Sequence, residues 1–147
     1  MADIARNRQA GYKYNFLEKW EAGLQLQGSE VKSLRDGGVQ LKDAFATVSD
    51  GEVWLHNMHI APYAPASREN HEPERSRKLL LHKGEIERLI GRTSEKGLTL
   101  IPTRLYWKNG RAKIEIALAR GKNVQDKRRY LKEKDARREI QQALQER

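Results

Sequence analysis

The chain has 147 residues, 37% hydrophobic and 33% charged, so its length favours one domain with one modest core. Its 29 Lys and Arg against 20 Asp and Glu leave a formal charge of +9, which favours a polyanionic partner, nucleic acid before an anionic membrane. It has no cysteine for a disulfide or a thiolate zinc site, and neither a membrane-length apolar run nor an apolar signal core near residue 1, so we expect a cytoplasmic protein.

Residues 1–11 form a polar arm that we expect to be loose until it docks on a partner. Two interpretations of Arg6, Asn7 and Arg8 stay open: contacts to phosphates or base edges, or a solvated terminus. Apolar side chains share one alternation at residues 14, 16, 20, 22, 24 and 26, which predicts a strand in a single phase. Its aromatic rings are interpreted as core residues rather than as base-stacking groups.

A short helix is predicted over residues 29–36. Ser29 is placed to cap its first turn, and Val31 and Leu34 share one side. The glycine pair at 37–38 ends this helix. Because the pair follows a helix rather than opening one, it lacks the pattern of a phosphate-binding P-loop.

The pair Asp50-Gly51 predicts the tight turn of a β-hairpin. With these two residues as the loop, Val48 pairs with Val53 and Ala46 with Leu55 on one face. Apolar groups on both faces indicate a strand pair that is covered on two sides or rolled into a small barrel. The second face carries Phe45, Thr47, Trp54, His56 and Met58.

A second hairpin is predicted at Asn109-Gly110, a favoured sequence for a two-residue turn. It pairs Trp107 with Ala112 and Leu105 with Ile114 on the inner face. The outer face carries basic side chains and one aromatic ring. Two interpretations of the basic side chains remain: they contact RNA, or they are solvated and protect a strand edge. The residues of this face are Arg104, Tyr106, Lys108, Arg111 and Lys113.

Between the hairpins we expect a long surface loop, residues 64–76, and a helix over residues 85–95. Ile86, Leu89 and Ile90 are the predicted buried stripe of this helix, with Gly97 as its stop. Strands are predicted near residues 14–26, 45–48, 53–60, 79–81, 98–105 and 112–119. With two or three short helices they predict a mainly β fold, a small OB-fold-like barrel, for residues 1–121.

Residues 122–147 are predicted to be a basic C-terminal tail. From residue 120 onward there are ten Lys and Arg and five Asp and Glu, an excess of +5 out of the total of +9. Glu133 and Arg137 have the spacing of a helical ion pair, but the apolar positions are too few to pack firmly on a core. We therefore expect the tail to be disordered alone and helical against a polyanion.

No pattern of catalytic or metal-binding residues stands out, and we expect no cofactor. His56 and His59 have an odd separation, which points them to opposite faces of one strand. The acidic residues are scattered beside basic ones rather than clustered as a nuclease requires. Three functions remain: an RNA-binding adaptor, a generic OB-fold module that stacks single-stranded bases, and, as the weakest, a small RNA-processing enzyme.

Nine different short motifs are distributed along nearly the whole chain. They are residues 28–35 (GSEVKSLR), 41–44 (LKDA), 51–53 (GEV), 55–63 (LHNMHIAPY), 75–82 (RSRKLLLH), 97–100 (GLTL), 105–110 (LYWKNG), 119–122 (ARGK) and 126–128 (DKR). In this order, without large insertions, they resemble the SmpB family. These are the bacterial SsrA-binding proteins, which partner transfer-messenger RNA in ribosome rescue. The resemblance implies an OB-type barrel that grips the tRNA-like domain of that RNA. It also implies a tail that probes the empty mRNA channel and decoding centre at the A site of a stalled ribosome, against small-subunit rRNA.

The resemblance also implies a monomer with no enzyme activity and no membrane partner. It assigns RNA binding to Asn7, Arg8, Glu21, Lys32, Arg35, Arg75, Arg77 and Lys78. It assigns ribosome binding in the tail to Lys122, Asp126, Lys127, Arg128, Arg129, Lys132 and Lys134. Glu21 repels phosphate, so it is interpreted as a base-edge acceptor or as the internal partner of an arginine. Gln125 departs from the family, in which many members carry His or Tyr there.

Overall fold

Strands and tight turns dominate the computed structural model, which describes residues 3–63, 70–95, 97–122, 128 and 131–138. Its elements are β1 (Asp3–Arg6), α1 (Ala10–Lys13), β2 (Tyr14–Leu24), α2 (Gly28–Arg35), β3 (Val39–Gln40), β4 (Phe45–Ser49), β5 (Glu52–His56), β6 (His59–Ile60), β7 (Arg77–Leu80), α3 (Lys83–Thr93), β8 (Leu98–Lys108) and β9 (Arg111–Gly121). Residues 131–138 in the tail are also helical; we call them the tail helix. The predicted mainly β fold with a few short helices is confirmed.

Six strands close into a barrel in which each neighbouring pair is antiparallel. The ring runs β2, β9, β8, β4, β5, β7 and back to β2. The length of β8 allows closure, because one edge pairs with β9 while the other meets β4 at Leu100 and β1 near Arg104. This is the predicted OB-fold-like barrel, and its closure pairs strand edges that an open sheet would expose.

Both predicted hairpins are confirmed, in turn and in register. Asp50-Gly51 takes φ values of 52° and 74°, and Asn109-Gly110 takes 53° and 75°. Positive φ at both central positions is what a type I′ turn requires, and Asp, Asn and Gly adopt it most readily. The strands on either side pair as predicted, Val48 with Val53 for example.

A β-bulge at Leu17 changes the face that β2 presents. The pairing of β2 with β9 shifts by one residue between Phe16 and Glu18, and Leu17 is exposed. Beyond the bulge Trp20 packs in the main core, whereas Phe16 packs against a second, smaller cluster that includes part of α1. The predicted single phase over residues 14–26 is therefore wrong, because the extra residue shifts the alternation.

Met58 also departs from prediction, which placed it on the outer face with His56. Asn57 takes φ 64°, so the chain turns there and the Met58 side chain is fully buried. Residues 59–60 then form β6, which pairs with β3. The single strand predicted over residues 53–60 is thus two strands in different sheets.

The two longer helices begin earlier than predicted. Gln27 rather than Ser29 is the N-cap of α2, and its backbone N–H donates to Glu30 Oε1 at 2.8 Å. In α3 Leu89 is fully buried as predicted, and Ile86 packs against the core. Ile90 is exposed, so its predicted place on the buried side of the helix is wrong. A positive φ at Gly37 ends α2 as expected.

Candidate nucleic-acid interface

The described part of the N-terminal arm is anchored along the barrel, so the prediction of a loose arm is wrong for it. β1 pairs with β8. Asn7 donates its side-chain N–H to the Pro102 carbonyl at 3.0 Å and its backbone N–H to the Thr103 carbonyl at 2.8 Å. Arg8 beside it is exposed. The structure therefore presents Asn7 and Arg8 from a fixed backbone.

An open cleft of about 600 Å³ lies beside this arm, and the tail helix reaches it. Glu115 accepts a hydrogen bond from Arg104 at 2.9 Å and lies 3.2 Å from Lys19. Burial raises the pKa of Glu115, but these hydrogen bonds outweigh it and hold the pKa below its ordinary value. Five cations and one carboxylate among the lining residues make the cleft attractive to a polyanion. They are Arg6, Arg8, Lys19, Arg104, Lys134 and Glu115.

Glu21 is an oriented acceptor on the outside of the barrel. It accepts a hydrogen bond from the Tyr106 hydroxyl at 2.5 Å and lies 3.2 Å from Lys108 Nζ. The Tyr106 bond, opposed by desolvation and aided by Lys108, lowers the pKa of Glu21. Its internal partners are thus a tyrosine and a lysine, not the arginine considered from the sequence. Tyr106 itself is buried, because β1 and the Arg104 guanidinium, 4.5 Å from the ring centroid, cover the outer face there.

Lys32 and Arg35 lie exposed on α2. They are three residues apart, so they share one side of the helix. Lys32 Nζ lies 5.7 Å from the centroid of the Tyr63 ring, a cation–π distance. The two cations are therefore accessible to a partner, and their binding to RNA phosphates stays a prediction.

Arg77 is fully buried, so the prediction that it contacts RNA directly does not fit the structure. Its Nε donates to Glu30 Oε2 at 2.5 Å, and its other nitrogens donate to the carbonyls of Met58 and Pro73. Arg75 donates to the other oxygen of Glu30 at 2.5 Å. We call Glu30, Arg75 and Arg77 the buried triad. It joins α2 to β7, so Arg77 acts by holding the helix that carries Lys32.

Arg75 and Lys78 remain partly accessible. The Arg75 side chain keeps part of its surface in solvent although it belongs to the buried triad. Lys78 pairs with Glu52 at 3.0 Å, and both side chains are well hydrated. Ion pairs in such a position are weak, so Lys78 can exchange its carboxylate partner for a phosphate.

The loop between β6 and β7 has a firmly held stem, residues 61–63 and 70–71. His71 is buried, with Nδ1 2.9 Å from a serine hydroxyl of α2 and Nε2 2.9 Å from a backbone carbonyl. The Asn70 side chain accepts from the Tyr63 N–H at 3.0 Å and donates to the Tyr63 carbonyl at 2.8 Å. The two ends of the loop are thus fixed to each other and to α2.

Two exposed apolar side chains were not among the predicted site residues. Leu80 is 51% exposed and packs beside Gly23, where an added Cβ would lie 3.3 Å from the Leu80 Cβ. Phe45 is 37% exposed, with its ring centroid 5.1 Å from that of His56. The exposure of Leu80 could have been predicted from the sequence. Successive residues of a strand point to opposite faces, and its neighbour Leu79 faces the core.

The tail leaves the barrel through Lys122. Its backbone N–H donates to the Lys13 carbonyl at 2.8 Å, and its Nζ donates to the Gly11 carbonyl at 2.7 Å. The predicted pair Glu133–Arg137 is present at 4.0 Å. Arg128, Lys132 and Lys134 are helical and exposed, while Asp126, Lys127 and Arg129 lie outside the described residues.

The histidines have partners other than metal. His56 Nε2 lies 2.8 Å from the Thr47 hydroxyl, and its Nδ1 lies 2.8 Å from the Ser76 hydroxyl. His59 lies 3.7 Å from Glu74. Within the described ranges no group of three or more His, Asp or Glu is placed to hold a metal ion. The helices of those ranges are all too short or too polar to cross a membrane.

A small closed antiparallel barrel with a cationic outer surface defines a class, the OB-fold-like nucleic-acid-binding proteins. A family model described as "SmpB protein" matches residues 4–146. The SsrA-binding protein of Carboxydothermus hydrogenoformans is 57% identical over 96% of this chain and 95% of its own length. That of Bacillus cytotoxicus is 57% identical over 98% of this chain and 93% of its own. The chain belongs to the SmpB family.

A solved structure agrees with this assignment. A chain from the work "tmRNA-SmpB: a journey to the center of the bacterial ribosome" superposes with a TM-score of 0.70 at 46% identity. The superposition covers 88% of this chain and 95% of that one. The likeness therefore extends over most of both chains.

Proposed function

We propose that this chain is an RNA-binding adaptor that binds the tRNA-like domain of transfer-messenger RNA and delivers it to stalled ribosomes for trans-translation. The observation that carries the proposal is the extent of the family match, residues 4–146, which includes the barrel and nearly all of the tail. A generic OB-fold module would share the barrel alone. The solved relative, whose description names tmRNA and the bacterial ribosome, supports both partners.

In this function the outer surface of the barrel holds the RNA. Five cations of this surface contact phosphates in the proposed complex, and the partial or full exposure of each side chain supports this role. They are Arg8, Lys32, Arg35, Arg75 and Lys78. Asn7 and Glu21 meet base edges, since each is already oriented by a hydrogen bond to the barrel. Arg77 supports Lys32 and Arg35 from inside, because the buried triad holds α2 in place.

The chain works in two parts, the barrel of residues 1–121 and the tail of residues 122–147. The tail probes the empty mRNA channel and the decoding centre, where its cations meet small-subunit rRNA. The exposed face of the tail helix supports this role. Its ribosome-binding residues are Lys122, Asp126, Lys127, Arg128, Arg129, Lys132 and Lys134. That the free tail is disordered stays a prediction.

The adaptor acts by binding alone, as a monomer in the cytoplasm, where its two partners meet. Sequencing the RNA that co-purifies with the chain tests the proposal. One abundant tRNA-like RNA is expected, whereas a broad mixture of RNAs would favour a generic binding module. An incubation of that RNA with the purified chain tests for enzyme activity, and the expected result is an RNA of unchanged length.

Neutralising Lys32 and Arg35 together with glutamine should weaken binding to the tRNA-like domain and lower its salt dependence. With about four to six phosphate contacts, log K for the unchanged chain should fall with log salt at a slope of roughly −4 to −5. Removing two contacts should make that slope shallower by nearly two units. Affinities at several salt concentrations give the slope directly.

The matched control is the pair Lys83→Gln and Arg92→Gln on α3, which removes the same charge from another exposed helix. It should lower affinity less and leave the slope within about one unit of the original. Equal slopes for the two double variants would show that net charge, not α2, determines binding.

Asp126→Lys should lower tagging of nascent chains on stalled ribosomes although it adds a positive charge. In the proposed ribosome-bound state the helix of the tail starts near this position, where a carboxylate complements the positive end of the helix dipole. Neutralising Lys127 and Arg128 together should also lower tagging, because both face rRNA in the proposed mode. A reconstituted tagging assay measures both variants, and each should still bind transfer-messenger RNA.

Asp135→Lys adds the same charge inside the tail helix and is the control. It should tag at a rate close to that of the unchanged chain. A purely electrostatic tail would instead respond alike to Asp126→Lys and Asp135→Lys. A normal tagging rate after Lys127 and Arg128 are both neutralised would contradict the proposed role of these two residues in docking the tail.

A further inference from the structure

A cavity of about 230 Å³ opens between the N-terminal arm, α1 and the start of β4. Sites for drug-sized ligands usually span about 300–1,000 Å³, so this cavity suits a single small planar group. Aromatic, amide, hydroxyl, ammonium and carboxylate groups all line it, among them Asn7, Lys13, Tyr14, Asp43, Phe45 and Thr99. Such a mixture fits one nucleotide, which has a flat apolar face, a polar edge and a charged phosphate.

Phe45 gives the cavity an aromatic wall that is already held in place. The ring is partly exposed and lies against His56, with 5.1 Å between centroids and 37° between planes. His56 cannot turn freely, because Thr47 and Ser76 engage both of its ring nitrogens at 2.8 Å. A fixed, exposed ring near a lysine, here Lys13 of the same cavity, is a suitable platform for stacking an unpaired base.

The polar side of the cavity is also arranged in advance. The hydrogen bond from Asn7 to Pro102 fixes the plane of its amide and leaves Oδ1 as the acceptor of that group. Lys13 Nζ lies 3.7 Å from Asp43, and both side chains are exposed. An exposed pair this long is weak, so Lys13 can move to a phosphate at little cost.

We infer that this cavity takes one unstacked base of the RNA partner, stacked on Phe45, with its edge at Asn7 and its phosphate near Lys13. The inference rests on the proposed function and deepens it, since it names a position where the adaptor holds a single unpaired nucleotide. His56 is a positioning residue for the Phe45 ring. None of the lining residues named here belongs to the buried triad, so the site can be altered without disturbing α2.

The test compares Phe45→Leu, which keeps apolar volume and loses the π-face, with Phe45→Trp, which enlarges that face. The probe is the tRNA-like domain of transfer-messenger RNA, titrated at one fixed salt concentration against each full-length variant. Because base stacking on an aromatic ring contributes about 1–3 kcal/mol, Phe45→Leu should bind roughly 5- to 150-fold more weakly. Phe45→Trp should bind within about threefold of the unchanged chain, and both should show its salt slope.

Each remaining outcome overturns the inference in a distinct way. Equal binding by Phe45→Leu and the unchanged chain would exclude stacking at Phe45 and leave the proposed function intact. Equal loss in both variants, with unchanged melting temperatures, would mean that the site requires the shape of phenylalanine rather than a π-face. Failure of the unchanged chain itself to bind the probe would instead overturn the proposed function.

Discussion

Replacing Glu30 with glutamine is expected to lower the free energy of unfolding by about 3–5 kcal/mol, because removing one member of a buried ion pair leaves its partners uncompensated. Glu30 and Arg77 are fully buried 2.5 Å apart, and Arg75 shares the same carboxylate. For a chain of this size the melting temperature should fall by about 10–15 °C. Thermal unfolding followed by circular dichroism measures the change.

The loss should also depend on pH. Burial alone would raise the pKa of Glu30, but hydrogen bonds from Arg75, the Gln27 N–H and Arg77 outweigh it and set the pKa below its ordinary 4.5. A carboxyl with a lowered folded-state pKa contributes stability above its unfolded pKa and loses it as the pH falls through the folded one. The stability difference between the unchanged chain and Glu30→Gln should therefore shrink below about pH 4.5.

Glu52→Gln is the matched control, since Glu52 forms a partly exposed pair with Lys78 at 3.0 Å. Its expected cost is at most about 1 kcal/mol. Similar losses for Glu30→Gln and Glu52→Gln would contradict the role given to the buried triad. A variant of Glu30 that is less stable should also bind RNA more weakly at temperatures where it stays folded, because α2 carries Lys32 and Arg35.

Truncation after Lys122 should abolish tagging on stalled ribosomes while the barrel keeps its RNA. The hairpin at Asn109-Gly110 completes the barrel before the tail begins, and the described tail residues are exposed. Affinity for the tRNA-like domain should stay within about threefold, under 1 kcal/mol, whereas tagging should fall at least about tenfold. Binding and tagging are measured on the same preparation.

Truncation one residue earlier, after Gly121, tests where the barrel ends. It removes the two hydrogen bonds of Lys122 to the Lys13 and Gly11 carbonyls, so it should be less stable by about 1–3 kcal/mol. Equal stability of the two truncations would place Lys122 in the tail alone, as the sequence predicted. A large loss in both would show that the tail packs on the barrel.

The sequence predicted the parts of the fold that local chemistry decides. Asp50-Gly51 and Asn109-Gly110 demand positive φ over two adjacent residues, and few other structures satisfy that demand. Their strand registers followed without error, because a two-residue loop leaves one register only. The remaining strands complete a closed barrel, as the family resemblance implied, but their order was not predicted.

The errors arose where distant residues decide the outcome. Arg77 was assigned to RNA on the family resemblance. Its burial could not be predicted locally, because its partner Glu30 lies 47 positions away. Met58 moved into the core because Asn57 adopts a left-handed conformation that no neighbouring glycine signalled. Phe45 and His56 were placed on one face correctly, but their exposure beside a cavity depends on α1 and the N-terminal arm.

The stem of the loop between β6 and β7 has a practical consequence for engineering the chain. Asn70 clamps Tyr63 and His71 anchors the same end to α2, so the two ends of the segment between residues 63 and 70 are fixed to each other and to the barrel. Lengthening a closed loop costs little, about 0.6 kcal/mol for each doubling of its length. A fluorescent reporter or an affinity peptide grafted there would label the adaptor through two attachment points that are fixed to the barrel.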